Sequence, residues 1–270
     1  MKRIMLTVAY DGTAYHGWQV QDNGITIEGE LNRAINELTG EVSEVIGGSR
    51  TDSGVHALCN VAVFDTESMI PGEKFSYALN AKLPDDIRVI ASAEVAPDFH
   101  PRHCNTRKTY EYKIYNAPIE DPIKRLYYHH TYVKLDVALM REAASYFIGE
   151  HDFSSFCSAG AQVDSKVRTI YSLEVLEIPC DLSINCAGAK DASTTLASSV
   201  PARDIIIRVS GNGFLYNMVR IIAGTLMEVG RGVIAPSEIP AIIEAMDRNA
   251  AGPTAPARGL VLSKYEIMEE

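Results

Sequence analysis

The chain has 270 residues, 46% of them hydrophobic, so it can bury a sizeable core and is not expected to be disordered. Its formal net charge of −10 argues against a protein that binds nucleic acid through its overall charge, because phosphate contacts need lysine and arginine. Five scattered cysteines without a C-x-x-C pair favour neither a disulfide framework nor a cysteine zinc site, and they suit a reducing cytoplasm.

The first half of the chain predicts the element order β-α-β-β-α-β. Residues 3–10 alternate as a strand, and the apolar run before Asp11 is too short for a signal peptide or a membrane span. A helix follows Thr26 and stops at Gly40. The other predicted elements are strands at 42–48 and 55–65, a helix at 73–83 that Pro84 ends, and a strand at 86–95.

The second half repeats that order, with Asp136 as a candidate helix cap. The predicted elements are a strand at 108–116, a helix at 136–148, strands at 169–178 and 204–210, an apolar helix at 214–229, an extra helix at 237–248 and a strand at 259–267. The sequence therefore predicts an α+β protein of two ferredoxin-like units, residues 1–103 and 104–270, which segment 97–107 joins. A stretch rich in Gly, Ser and Ala at about 180–202 predicts an inserted surface loop.

Charge is unevenly distributed along the chain, and a local basic surface can bind nucleic acid even when the net charge of the protein is negative. One basic face opposite an acidic one would suit a nucleic-acid ligand, whereas ordinary solvated surface is the alternative for each cluster. The basic clusters are Arg102 with His103, Arg107 and Lys108; Lys124 with Arg125; and Lys166 with Arg168, while Glu28, Glu30, Glu37, Glu41 and Glu44 gather on the first helix and its exit.

The stretch GGSRTDSGVHAL, residues 47–58, falls in the loop between the two middle strands of the first unit. The residue types at 51–54 favour a turn, since an Asp side chain can bond its own backbone and Gly tolerates positive φ. Arg50 and Asp52 beside small residues instead suggest a carboxylate that a substrate can approach. The residues alone leave the turn and the active site as equal alternatives.

The motif GGSRTDSGVHA resembles that of the tRNA pseudouridine synthase A family, and further segments resemble the family in its order along nearly the whole chain. The resemblance implies the pseudouridine synthase fold, with a catalytic cleft between two ferredoxin-like units. It also implies isomerisation of uridine to pseudouridine at positions 38–40 in the anticodon stem-loop of tRNA. The further segments are YDGTAYHGWQ (10–19), LPDDI (83–87), DFHPR (98–102), KTYEYKIYN (108–116), GEHDFSSF (149–156), VRTI (167–170), GNGFLYNMVRIIAGTLMEVG (211–230) and APARGLVL (255–262).

Asp52 matches the family's catalytic nucleophile, which attacks the target nucleotide so that the base detaches, turns and is rejoined through carbon. An ionised carboxylate suits this chemistry, and a neighbouring arginine would keep it ionised. We expect Arg220, on the apolar helix, to pair with Asp52, and Arg50 to contact RNA. The alternative for Arg220 is a surface position on a polar stripe with Asn217.

Tyr110 matches the family's active-site tyrosine, which stacks on the target base. Without the resemblance, Tyr110 and Tyr112 would equally be core residues of one strand. Arg102 and Arg168, in two of the basic clusters, are further candidate substrate contacts. An aromatic group after the first strand, comprising Tyr15, His16 and Trp18, is expected to pack rather than to touch RNA.

Other constellations do not favour a second chemistry, and we expect no metal and no cofactor. His100, His103 and Cys104 lack a further ligand at zinc spacing, and His151 with Cys157 lacks an orienting third group. The segment GNGF at 211–214 is too short for a dinucleotide loop. Isomerisation also requires neither redox chemistry nor phosphate energy.

Gly48, Ser49 and Ser53 depart from the residues usual in the family, and hydroxyls beside Asp52 could alter its hydrogen bonds and pKa. A divergent paralogue that modifies another RNA site is therefore one alternative, and a non-catalytic RNA-binding module is the other. The resemblance further implies a homodimer that binds tRNA. We expect the protein to be cytoplasmic, with no membrane partner and no nucleotide cofactor.

Overall fold

The computed structural model describes residues 1–160, 163–180 and 202–268, which form two compact α+β units. Unit 1 comprises Met1–Glu111, Ser210–Tyr216 and Leu260–Glu270, and unit 2 comprises Tyr112–Val209 and Asn217–Gly259. The described strands are β1 (Lys2–Tyr10), β2 (Ile46–Gly47), β3 (His56–Thr66), β4 (Ile87–Val95), β5 (Thr106–Asn116), β6 (His129–Thr131), β7 (Gly149–Asp152), β8 (Val167–Pro179), β9 (Arg203–Gly211) and β10 (Leu260–Ile267), and the α-helices are α1 (Ile27–Thr39), α2 (Phe75–Asn80), α3 (Val137–Ser145), α4 (Met218–Gly230) and α5 (Ile239–Glu244).

The sheet of unit 1 has β1 at its centre, antiparallel to β3 on one side and to β4 on the other. Short β2 pairs antiparallel with β3, and β10 joins β3 in parallel, with Val261 opposite His56. Alternate residues of β1 are buried, as expected for a strand with one face on the core. The loop between β2 and β3 therefore rejoins the sheet beside the first residues of β10.

Helix α1 begins and ends where its sequence signals predict. The Thr26 side chain accepts a hydrogen bond from Gly29 N–H. Glu28 and Glu30 lie in the first turn, where the helix dipole stabilises negatively charged carboxylates. Gly40 closes the helix in the left-handed conformation, with φ of 76°. The predicted first helix is confirmed.

In unit 2, β9 lies between β5 and β8, and β7 forms an antiparallel pair with β8. Asp136 caps α3 by accepting from the backbone N–H groups of Ala138 and Leu139, so that predicted cap is confirmed. Helix α4 is buried along most of its length, which agrees with its apolar sequence. None of the helices in the described ranges combines the length and the apolar character needed to cross a bilayer.

The structure corrects several predicted boundaries. Strand β2 covers two residues rather than 42–48, because the Val45 N–H donates to Asn32 Oδ1 instead of a neighbouring strand. Helix α4 begins at Met218, not 214, because Asn217 before it has φ of 61°. The helices predicted at 73–83 and 237–248 each begin as a 3-10 turn and are shorter, as α2 and α5.

Two short strands, β6 and β7, were not predicted. Each has three or four residues, too few to show an alternating pattern, and each exists through pairing with a neighbour, β5 or β8. The insertion predicted at 180–202 lies, apart from its two ends, outside the described residues. At those ends the Cys180 N–H donates to Ala202 O at 3.0 Å.

Candidate active site

The loop that carries Asp52 lies between β2 and β3, as predicted. It contains a tight turn in which Val55 N–H donates to Asp52 O at 3.1 Å and Gly54 takes a φ of 76°. The turn interpretation of this stretch is therefore structurally correct, and it coexists with a half-buried Asp52 carboxylate next to an exposed Arg50.

A buried asparagine holds the start of this loop. Asn60, fully buried on β3, accepts from Ser49 N–H at 3.2 Å through Oδ1 and donates to Ser49 O at 2.8 Å through Nδ2. Nδ2 also lies 3.3 Å from the Tyr10 hydroxyl, and that hydroxyl shares a 2.7 Å hydrogen bond with Thr51 Oγ1. The backbone of Ser49 is thereby fixed to β3, and the side chain of Thr51 is fixed to β1, on the two sides of Arg50.

The segment after β1 supports the loop from another side. Trp18 N–H donates to Thr51 O at 3.0 Å, and Gly54 N–H donates to Tyr15 O at 3.3 Å. Gly17 has φ of 88°, and a Cβ there would lie 2.6 Å from Thr51 O, so only glycine allows this approach. Trp18 and Tyr15 are buried, as expected for packing residues.

Two basic side chains hold Gly47, the last residue of β2, and Gly48, the first residue of the loop. Arg102 Nε donates to Gly47 O at 2.8 Å, and Lys108 Nζ donates to Gly48 O at 2.8 Å. The sequence places Lys108 in one basic cluster with Arg102, for which solvated surface is one interpretation, whereas in the structure its ammonium bonds the backbone of unit 1 and burial lowers its pKa to about 8.

Tyr110 lies on β5 with 7% of its surface exposed, and its ring meets Phe214 edge to face at a centroid distance of 5.3 Å. Burial raises the pKa of Tyr110 to about 12; the Ser49 side chain, through a hydrogen bond, opposes this rise, and the Asp52 charge adds to it. Unit 1 thus brings Tyr110, Ser49 and Asp52 together. Arg50 lies on the same loop, and Arg102 bonds the residue that precedes the loop.

Arg220 and Arg168 belong to unit 2. Arg220, half-buried on α4, donates from Nε to Ala255 O at 2.8 Å and from Nη1 to Asn217 Oδ1 at 2.6 Å. The Tyr112 hydroxyl, in the same unit, donates to Pro256 O at 2.9 Å, and this tyrosine is a core residue. Arg168 Nη1 donates to the carbonyls of Ser165 and Val167, and burial lowers its pKa.

The sequence interpretation missed Asn60 and Lys108 as residues that hold the Asp52 loop. A signal for Asn60 was present, because it is an uncharged polar residue in the middle of a strongly apolar strand, where a buried side chain needs hydrogen-bond partners. The contact of Lys108 with Gly48 joins residues 60 positions apart and left no local pattern.

Comparison with known proteins gives consistent matches. Residues 6–103 and 143–266 match the family model described as tRNA pseudouridine synthase. The chain is 50% identical over 262 residues to a tRNA pseudouridine synthase A of Ruminiclostridium cellulolyticum, which covers 97% of this chain and 98% of the relative. It is 48% identical over 264 residues to that of Acetivibrio thermocellus, with 97% and 98% covered. The relative in Clostridium acetobutylicum is 46% identical over 264 residues, with 98% and 99% covered.

Proposed function

This chain belongs to the tRNA pseudouridine synthase family, and we propose that Asp52 is the nucleophile with which it acts on the anticodon stem-loop of tRNA. The protein is an isomerase that converts uridine in tRNA into pseudouridine. The bond from the sugar C1′ to N1 breaks and one from C1′ to C5 forms. C5 loses a hydrogen and N1 gains one, so no atoms are lost overall and no oxidant is consumed.

The observation that carries the proposal is that Asp52 lies close enough to Tyr110 for its charge to raise the pKa of that tyrosine, on a loop whose backbone is bonded by Asn60 and Trp18. A carboxylate that attacks a nucleotide must be held in one geometry, because a small displacement of the reacting atoms slows the reaction strongly. The bonds from Asn60 and Trp18 supply that rigidity. We propose that Tyr110, which borders this loop, stacks on the unpaired base.

The remaining predicted contacts follow from this assignment. We propose that Arg50 and Arg102 in unit 1, and Arg220 and Arg168 in unit 2, bind the phosphates or the target nucleotide. Arg50 is exposed beside Asp52, and Arg102, which is also exposed, uses Nε on Gly47 O.

We also propose that the fold is two ferredoxin-like halves, residues 1–103 and 104–270. The antiparallel placement of β3 beside both β1 and β2 supports a split β-α-β arrangement in the first half. The strand order β5, β9, β8 supports the same arrangement in the second. A cytoplasmic homodimer is proposed from the family, and light scattering of the purified protein at several concentrations measures its oligomeric state.

The proposed function is tested by mapping pseudouridine in tRNA incubated with and without the purified protein. New pseudouridine confined to the anticodon stem-loop supports the proposal. Modification at another RNA site would instead identify a divergent paralogue. Tight tRNA binding without any pseudouridine would identify a non-catalytic binding module.

A test of the unit 2 contacts compares two arginines of the same helix region. We expect Arg220→Leu to lower kcat/KM about 100-fold, since a partly buried guanidinium that binds a charged group contributes about 2–3 kcal/mol. Arg231→Leu, which removes an exposed arginine paired with Glu228 at 2.8 Å, is the control and should change kcat/KM less than about twofold. Equal kinetics for the two variants would contradict the role of Arg220.

Salt dependence tests whether the basic clusters bind RNA despite the acidic total. Lys166 is exposed, and we expect Lys166→Glu to weaken tRNA binding and to reduce the log–log salt slope by about 1. Arg102→Glu should have the same two effects. It should also loosen the Asp52 loop, because Arg102 bonds Gly47 O. Glu37→Lys is the control on the acidic helix, where Arg33 pairs with both Glu30 and Glu37 at 2.7 Å. A salt slope that none of these changes affect would show that the clusters are ordinary surface.

A further inference from the structure

Lys108 connects the two parts of unit 1 on which the proposed chemistry depends. It lies on β5 two residues before Tyr110, so both side chains leave the strand on the same face. Its Nζ donates to Gly48 O at 2.8 Å, four residues before Asp52. One side chain therefore joins the strand of the stacking tyrosine to the loop of the nucleophile.

The ammonium group of Lys108 lies in a pocket between Gly48 of the Asp52 loop and the ring of Tyr265. Nζ lies 5.0 Å from the ring centroid of Tyr265 on β10, and the Tyr265 hydroxyl donates to Pro101 O at 2.5 Å. A Cβ at Gly48 would lie 2.6 Å from Tyr265 Oη, so glycine is what lets the loop reach the pocket. Tyr265 thus orients Lys108 toward Gly48.

The pocket holds Lys108 at an energetic disadvantage. Burial and the nearby Arg102 lower its pKa to about 8, with burial the larger cause, and Cys104 partly opposes them. A methionine would fill the same space without desolvating a charge. A lysine in this place is therefore better explained by its hydrogen bond to the loop than by packing.

We infer that Lys108 is a positioning residue of the pseudouridine synthase reaction, which fixes the Asp52 loop against the strand of Tyr110 and does not bind RNA phosphate. This inference rests on the proposed function, because it needs Asp52 as the reacting group. Lys108 touches no substrate in this role. It acts through the backbone of Gly48.

The test is single-turnover pseudouridine formation on a tRNA transcript, with the tRNA Kd measured separately. We expect Lys108→Met to slow the rate at least about tenfold and to leave the Kd within about twofold. Lys108→Arg should restore most of the rate, since a guanidinium can also donate to Gly48 O over the Tyr265 ring. Lys113→Met is the control: Lys113 lies on the same strand, 6.0 Å from the ring of Tyr128, and its loss should leave the rate unchanged.

A pH profile supplies a readout that packing alone would not change. Below pH 8 the Lys108 ammonium makes a charge-assisted bond, which weakens as the proton leaves. We expect the wild-type rate to fall relative to that of Lys108→Arg between pH 7 and about 9, because arginine stays protonated there. Tyr265, Cys104 and Arg102 are the other titratable groups that face Lys108, and all of them remain in both proteins.

The possible results distinguish a failure of the proposed function from a failure of the positioning role of Lys108. A wild-type rate of zero would end the proposed function itself, whereas an active wild type with an equally fast Lys108→Met would overturn only the positioning role. A weakened tRNA Kd with an unchanged bound-state rate would make Lys108 a phosphate contact and would likewise overturn it. Circular dichroism and urea unfolding of each variant exclude a folding defect as the cause of a slow rate.

Discussion

Asp52→Asn is expected to abolish pseudouridine formation, with a single-turnover rate at least about 10⁴-fold below that of the wild type, because removal of a covalent nucleophile removes the reaction path. The fold should persist. Asparagine has nearly the same shape, and the bond from Val55 N–H in the turn is accepted by the Asp52 backbone carbonyl, which the substitution retains. The tRNA Kd should stay within about threefold of the wild-type value.

A matched control is Asp85→Asn, which removes a fully exposed carboxylate of the same unit that pairs with Arg88 at 2.5 Å. Its rate should equal that of the wild type. The proteins must come from cells that lack their own enzyme of this kind, so that trace activity is not mistaken for turnover. Pseudouridine formed by Asp52→Asn at even one hundredth of the wild-type rate would remove Asp52 from the role of nucleophile.

The elements that the sequence predicted well are those with local signals. Thr26 and Gly40 bound α1, and Asp136 caps α3, because a cap requires particular side-chain chemistry at one position. The true start of α4 escaped prediction, since the apolar run from 214 onward does not show that Asn217 takes a left-handed conformation. Strand β6 exists only through its pairing with β5.

The residues of the candidate site also differ in whether a local sequence signal identifies them. The loop and its Asp52 could be located from a motif, because the residues that perform chemistry are contiguous. Their supports come from elsewhere in the chain: Asn60 bonds Ser49 across 11 positions and Lys108 bonds Gly48 across 60. Hydrogen bonds of this kind are decided by how strands align, which no local pattern of residue types specifies.

The second large effect is expected at Asn60, where Asn60→Leu should both destabilise the protein and inactivate its folded form. Leucine would leave the N–H and the carbonyl of Ser49 buried without their partner, and the Tyr10 hydroxyl would lose one of its two neighbours. Each unsatisfied buried group costs about 1–3 kcal/mol, so we expect the free energy of unfolding to fall by about 3–5 kcal/mol. The freed loop should slow single turnover about 100-fold.

Asn80 provides the matched control, because it makes the same pair of backbone bonds away from the loop. Its Nδ2 donates to Val89 O at 2.9 Å, and its Oδ1 accepts from Val89 N–H at 2.8 Å. Asn80→Leu should therefore also lower the urea midpoint, yet the folded enzyme should react at the wild-type rate. The comparison isolates the loop contact from stability in general, since both variants lose a two-bond asparagine clamp in unit 1.

The measurement is the single-turnover rate at a temperature where urea titration shows each variant to be more than about 95% folded, which requires an unfolding free energy of about 2 kcal/mol. Asn60→Asp adds a third point: its protonated form, which burial favours, can make both bonds to Ser49, whereas its ionised form has no proton for Ser49 O, so its rate should move from near that of the wild type toward that of Asn60→Leu as the pH rises. If folded Asn60→Leu reacted as fast as folded Asn80→Leu, the Asn60 bonds would be structural alone. The geometry of Asp52 would then depend on its other supports, the bonds that Thr51 makes with Trp18 and Tyr10.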